Sequence, residues 1–195
     1  TGMVRDKQRR KMSKSLGNVI DPFALVEQYG LEPVRYYLLK EIPTHGDGDF
    51  SHARFFELYT ADLANGLGNL CSRVAKLCHA GNHQFAPPTP DLYSLPAYTE
   101  AMEQFELSVA AQLLLAELTK IDQQLNQDTP WKLTGDAQHA SLEKSVRGIQ
   151  RLSFLLQPFL PTVAKRIHEH FTSAQITPLQ PLFPRIDLHT PNATL

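Results

Sequence analysis

Two cysteines, Cys71 and Cys78, and one tryptophan, Trp131, are all that this 195-residue chain has of those types. Two thiols with no CxxC spacing argue against a disulfide framework and suit a reducing cytosol, so a cytoplasmic location is expected. No apolar run approaches the ~20 residues that a membrane span needs. The opening TGMVRDKQRR also lacks the apolar stretch of a secretory signal. Excess charge of one sign is missing too: 19 Lys and Arg stand against 20 Asp and Glu, a net charge of −1. The chain as a whole is therefore no electrostatic trap for nucleic acid. Any polyanion site must come from local clustering.

What is there is mostly helix. Asp21-Pro22 reads as an N-cap with proline at the first helical position, before FALVEQY and a stop at Gly30. Glu32-Pro33 opens a second short helix that Pro43 ends. The stretch THGDGDFS reads as turns, with Asp47 and Asp49 in turn and capping roles and Ser51 capping the next helix. From His52 to about Gly81, Phe55, Phe56, Tyr59, Leu63, Leu67, Leu70, Val74 and Leu77 recur at steps of three and four, which predicts one long amphipathic helix. Gly66 and Gly68 weaken it by about 1 kcal/mol each, so a close helix contact is expected there. After the connector FAPPTPDLYSLP come three more helices, over about 96–125, about 137–156, and TVAKRIHEHF. The proline-bearing tail is read as irregular. The fold class is mainly α: an antiparallel helical bundle over residues 51–195, behind a small α/β module over residues 1–50.

One cluster carries chemistry. Six basic residues lie between Arg5 and Lys14, and the string KMSKSLGN closes them with Ser15, Gly17 and Asn18. An exposed solvated arm and a phosphate-holding loop both fit a run of bases. Lysine suits the second, being a mobile point charge with three donors. Lys11 and Lys14 flank Met12 and Ser13, Ser13 and Ser15 add hydroxyls, and Gly17 lets backbone N–H groups approach closely.

Elsewhere, Asn69 and Arg73 sit four apart on one helix face, with Asn65 a turn earlier. Such a face can read the edges of unstacked bases, or simply hydrogen-bond within the bundle. Trp131 follows Pro130 in the break NQDTPW, where it is either core or a stacking platform; Asn126 is a weaker candidate. Cys71, Cys78, His79 and His83 have poor metal-ligand spacing, and no metal site is assigned. His168 and His170 cannot share a helical face and are expected in solvent.

KMSKSLGN resembles the signature loop of the class I aminoacyl-tRNA synthetases over eight consecutive residues. The stretches VIDPFALVEQYGLEPVRYYLLKEIPTHGDGDFS, DLANGLGNLCSR, TPWKL and PLFPRID resemble the methionyl-tRNA synthetase family in particular. The resemblance runs from the loop to about Asp187. It implies that Lys11 and Lys14 stabilise the triphosphate and departing pyrophosphate of ATP, accompanied by Mg2+, within a loop of Lys11, Met12, Ser13, Lys14 and Ser15. It implies further that Asn69, Arg73, Pro130 and Trp131 read the CAU anticodon of a tRNA. The family's nucleotide-binding catalytic domain and zinc-carrying insertion have no counterpart in these residues. The expectation is therefore a C-terminal piece that needs that domain as its partner and does not activate methionine alone. The equivalent region of another class I synthetase, and a non-catalytic helical interaction module, are the rival readings.

Overall fold

The computed structural model describes residues 3–184. The residues Arg185, Ile186 and Asp187 of the closing string lie outside them, as do Thr1 and Gly2.

Near the N-terminus β1 (Val4–Arg5) pairs in parallel with β2 (Gly48–Asp49), Val4 opposite Gly48. The stretch expected as turns thus supplies a short strand. Its acids do not cap helices. Asp47 accepts the Met3 N–H at 2.8 Å and pairs with Arg5, and Asp49 meets Arg9 at 3.3 Å. The first segment is pinned to the β2 turn by charge.

Between the strands lie α1 (Pro22–Tyr29) and α2 (Leu31–Glu41). Asp21 Oδ1 accepts the Phe23 N–H at 2.9 Å, satisfying a helix-end donor. Gly30, at φ +87°, joins the two helices in one residue, a conformation that a side chain would strain. Ser51 then caps α3 (His52–Leu58), its Oγ accepting from Arg54 N at 3.1 Å.

The long helix expected from His52 is continuous but not uniform. Tyr59–Gly68 is a π segment, followed by α4 (Asn69–Ala80). Tyr59, Leu63 and Leu67, four residues apart, stay on the buried face of the π segment. Gly66 makes room there. A Cβ would stand 2.8 Å from the Ala61 carbonyl oxygen and 3.2 Å from Leu118 Cδ2.

The helix expected over 96–125 is two: α5 (Pro96–Glu103) and α6 (Leu107–Asp128). Phe105 sits at φ +59°, its N–H bonded to Met102 and the Glu106 N–H to Ala101 at 2.8 Å. That closing turn normally takes glycine, so nothing in the sequence announced it. A 3-10 turn (Pro130–Lys132) leads to α7 (Gly135–Leu155), and α8 (Pro161–Thr172) follows.

Helix α7 is the hub, packed on α4, α6 and α8. Val74, Leu114, Leu142, Val146, Ile149, Phe159, Leu160 and Ile167 are its buried neighbours or members. Each large one contributes about 1.5–3 kcal/mol by leaving water. Helix α2 docks on α6 and α8, so the front module and the bundle share one core. Two polar devices fix that docking. Lys40 Nζ pairs with Asp62 at 2.6 Å while the Tyr36 hydroxyl donates to the same oxygen at 3.0 Å. Glu32 accepts the Val163 N–H at 2.9 Å and that of Thr162, capping α8 from another helix.

His168, expected in solvent, is half-buried. Its Nδ1 lies 3.2 Å from Ser153 Oγ and its Nε2 3.4 Å from the Tyr93 hydroxyl, because α8 turns that face onto α7 and the connector. His170 Nε2 meets the Thr177 carbonyl at 2.8 Å.

Candidate functional site

The basic loop is organised by two small polar residues. Asn18 Oδ1 accepts the Ser13 N–H at 2.9 Å, and its Nδ2 donates to Asp6 at 2.9 Å and to the Lys11 carbonyl at 3.3 Å. Buried Asp6 also accepts from Gln8 N, Arg10 N and Arg10 Nε at 2.8–3.0 Å. The Asn18 amide above all, then Arg10 and Gln8, hold its carboxyl well below the usual carboxylate range. The segment Lys11–Asn18 is thereby closed into a loop at its base. Its crest is free. Lys11 and Ser15 are exposed, Met12 and Ser13 partly so, and the two seryl oxygens stand 3.2 Å apart. Lys14 begins a single 3-10 turn, Lys14–Leu16.

Of the six basic residues, Arg5, Arg9 and Arg10 are spent on Asp47, Asp49 and Asp6. Arg5 is the most shielded of the three, while Arg9 and Arg10 stay largely solvated as they pair. Lys11 is left exposed at the loop's edge. Beside the loop a cavity of about 380 Å³ is lined by Gly17, Asn18, Ile20, Ala24, Leu25 and His52, where burial lowers the His52 pKa.

The second constellation lies between α4, α6 and the turn that follows α6. Arg73, on α4, donates from Nη1 to Asp122 at 2.9 Å and from Nη2 to Asn126 at 2.8 Å, both on α6. Asn126 Nδ2 returns to Asp122 at 2.9 Å, closing a triangle. The Arg73 guanidinium carbon lies 5.8 Å from the Trp131 ring centroid, a cation–π distance. Trp131 is 46% exposed and Pro130 beneath it is buried. The structure therefore brings Arg73, Asn126 and Trp131 together and puts the indole at the surface. Asn69 and Asn65 are exposed on successive turns before Arg73. Asp122 escaped the sequence reading, although its four-residue spacing from Asn126 was a usable signal.

Cys71 and Cys78 point into the core, and burial pushes both thiols up to about 12. Among the described residues no group of three or more His, Cys, Asp or Glu could hold a metal ion, and no helix is long and apolar enough to cross a membrane.

Residues 3–75 match the family model of tRNA synthetases class I (M). Methionine--tRNA ligase of Bacillus subtilis is 35% identical over 82% of this chain, and that of Brucella suis 32% identical over 90%. The chain belongs to the methionyl-tRNA synthetase family. It spans 27% and 40% of the length of those two relatives. Methionyl-tRNA synthetase of Mycobacterium tuberculosis in its free state superposes with a TM-score of 0.77 at 20% identity, covering 95% of this chain and 43% of that one. Its complex with methionyl-adenylate gives 0.74 at 25% identity, over 94% and 43%. The mainly helical bundle is thus the fold of the matching 43% of that synthetase. The family model runs from the loop through the front module into α4 as far as residue 75, which includes Arg73, and stops short of the Trp131 turn.

Proposed function

We propose that this chain is the part of a methionine–tRNA ligase that supplies the phosphate-handling loop and reads the CAU anticodon of tRNA. The rest of that ligase, with the nucleotide-binding domain, is its intended partner, and its setting is the cytoplasm. Residues 1–50 act as the loop and stem-contact module and residues 51–195 as the anticodon-binding bundle. ATP is the co-substrate and Mg2+ accompanies it.

The loop's chemistry fits a polyphosphate. Lys11 and Lys14 bring charge, Met12 spaces them, and Ser13 and Ser15 donate hydroxyl protons on a loop whose base Asp6 and Asn18 hold. As the methionine carboxylate attacks the α-phosphorus, negative charge gathers on the departing pyrophosphate, and prepositioned cations lower the barrier there.

The observation that carries the reading is the Arg73–Trp131 pair: an exposed indole in the turn after α6 beside a guanidinium of α4, 5.8 Å apart. Unstacked anticodon bases need an aromatic face to stack on and donors for their edges. Trp131 offers the first, Arg73 and Asn69 the second, and Pro130 sets the turn. The test uses the only tryptophan. An anticodon stem-loop bearing CAU should quench Trp131 fluorescence on titration, and a loop with changed anticodon bases should not. Equal quenching by both, or none, would overturn the anticodon reading.

A further inference from the structure

We propose that Gln138 and His83 are positioning residues that lock the Trp131 turn to the end of α4; their role rests on Trp131 being the stacking platform. Pro130 has no N–H, but its carbonyl accepts twice: from Leu133 N at 3.1 Å within the turn, and from Gln138 Nε2 at 2.9 Å. Gln138 Oε1 in turn lies 2.9 Å from His83 Nε2. A carbonyl can only accept, so the Gln138 NH2 must face Pro130 and its oxygen must face His83. That orientation requires the His83 proton on Nε2. The chain of donors then runs one way, from His83 through Gln138 to Pro130.

His83 is anchored just past α4, its backbone N–H bonded to the Cys78 carbonyl at 3.0 Å. The turn is therefore held twice, by Arg73 of α4 against the indole and by Gln138 of α7, braced on His83 just past α4, against the carbonyl of the preceding residue. The two ties, one from α4 and one from α7, fix both the distance and the tilt of the ring relative to Arg73. One tie would leave it a hinge. Preorganising the platform removes ordering cost at the moment a base stacks.

Gly81 gives independent support. Its backbone is in the right-handed region, φ −85° and ψ 0°, where any residue is at ease. Yet a Cβ there would stand 2.3 Å from His83 Nε2 and 2.8 Å from Gln138 Oε1. The space that glycine leaves open is the space the brace occupies.

The experiment measures Trp131 anisotropy and acrylamide quenching in the 195-residue chain, followed by titration with the CAU stem-loop. Gln138→Ala and Gly81→Ala should both lower anisotropy, raise quenching and weaken stem-loop binding by about threefold to tenfold, the loss of one tethering hydrogen bond. Gly81→Ala should do so with the helical circular dichroism of the parent chain retained, since its backbone conformation there suits alanine. His83→Leu, which donates nothing, should match Gln138→Ala, while His83→Gln, which donates, should stay near the parent. Should Gln138→Ala not fold, Gly81→Ala and the two His83 variants carry the test. Unchanged anisotropy and quenching in the folded variants, or identical behaviour of His83→Leu and His83→Gln, overturns the brace. Failure of the anticodon reading looks different: the parent chain would not discriminate CAU, while the fluorescence of the variants still moved.

Discussion

Arg73 and Trp131, 58 positions apart in the chain, lie with guanidinium carbon and indole centroid 5.8 Å from each other. The guanidinium is also clamped by Asp122 and Asn126, so all of its fork is oriented before any base arrives. Arg73→Lys should therefore not restore Arg73→Ala. A lysine keeps the charge but cannot span two acceptors in a plane. Both variants should lose discrimination between CAU and altered loops, and Trp131→Ala should lose about 1–3 kcal/mol of stacking for every loop that stacks. Isothermal titration with matched stem-loops separates the two effects. Discrimination retained by Arg73→Lys would sink the role of the fork.

A second prediction concerns Lys14. In the intact ligase, Lys14→Ala should lower kcat for adenylate formation far more than it raises KM for methionine, because its charge acts on the transition state. Single-turnover adenylate formation reads this directly. An unchanged rate would reduce the loop to a surface arm.

The Lys40–Asp62 pair tests what fastens the front module. Both side chains are largely buried, 9% and 14% exposed, and the Tyr36 hydroxyl, whose pKa burial and then Asp62 raise, completes the cluster. Lys40→Met should destabilise the chain by about 3–5 kcal/mol, since it strands a buried carboxylate. Lys40→Met with Asp62→Leu should recover much of that loss. Urea unfolding followed by circular dichroism gives both numbers. A double variant no better than the single one would mean that packing, not charge, is what the pair supplies.

Acid should spare the loop longer than an ordinary carboxylate cluster. The Asp6 pKa is depressed in the fold, first by the Asn18 amide and then by Arg10. A depressed carboxylate contributes stability above its unfolded value near 3.8 and loses it as pH falls through the folded value. The Asp6 carboxyl should therefore stay ionised at pH 3, and Asn18→Ala should bring its titration up toward 3.8. Carbon-detected NMR of the Asp6 side chain checks it. Titration near 3.8 in the parent chain would mean that Asn18 does not hold the loop's base.

The thiols should be silent. With Cys71 and Cys78 buried and pushed up to about 12, neither should react with a disulfide reagent at pH 8 until the chain is unfolded. Two thiols should then react together. Fast reaction in the native state would contradict the packing of α4 on α7.

Local signals were legible because their physics is local. Asp21 and Ser51 satisfy N–H groups two and three residues away, Gly30 bends the chain at its own φ, and KMSKSLGN brings its lysines and hydroxyls within one loop. The π segment after Leu58 was not legible, since four-residue apolar steps suit an ordinary α-helix equally well. Nor was the break at Phe105, since its left-handed turn uses no glycine, and only packing of α5 on α6 over-determines it. The cross-element partners of Asp122, Gln138 and Glu32 were not legible either. Each of these three is a common polar residue whose partner lies on another element, and a hydrogen bond to Arg73, Pro130 or the start of α8 exists only once the helices have docked. The sequence by itself determined which segments are helices, where most of them begin, and that a basic, serine-flanked loop opens the chain. Tertiary structure alone decided that three of that loop's cations face acids and that Arg73 meets Trp131, because burial and geometry between distant segments set those contacts, not spacing along the chain.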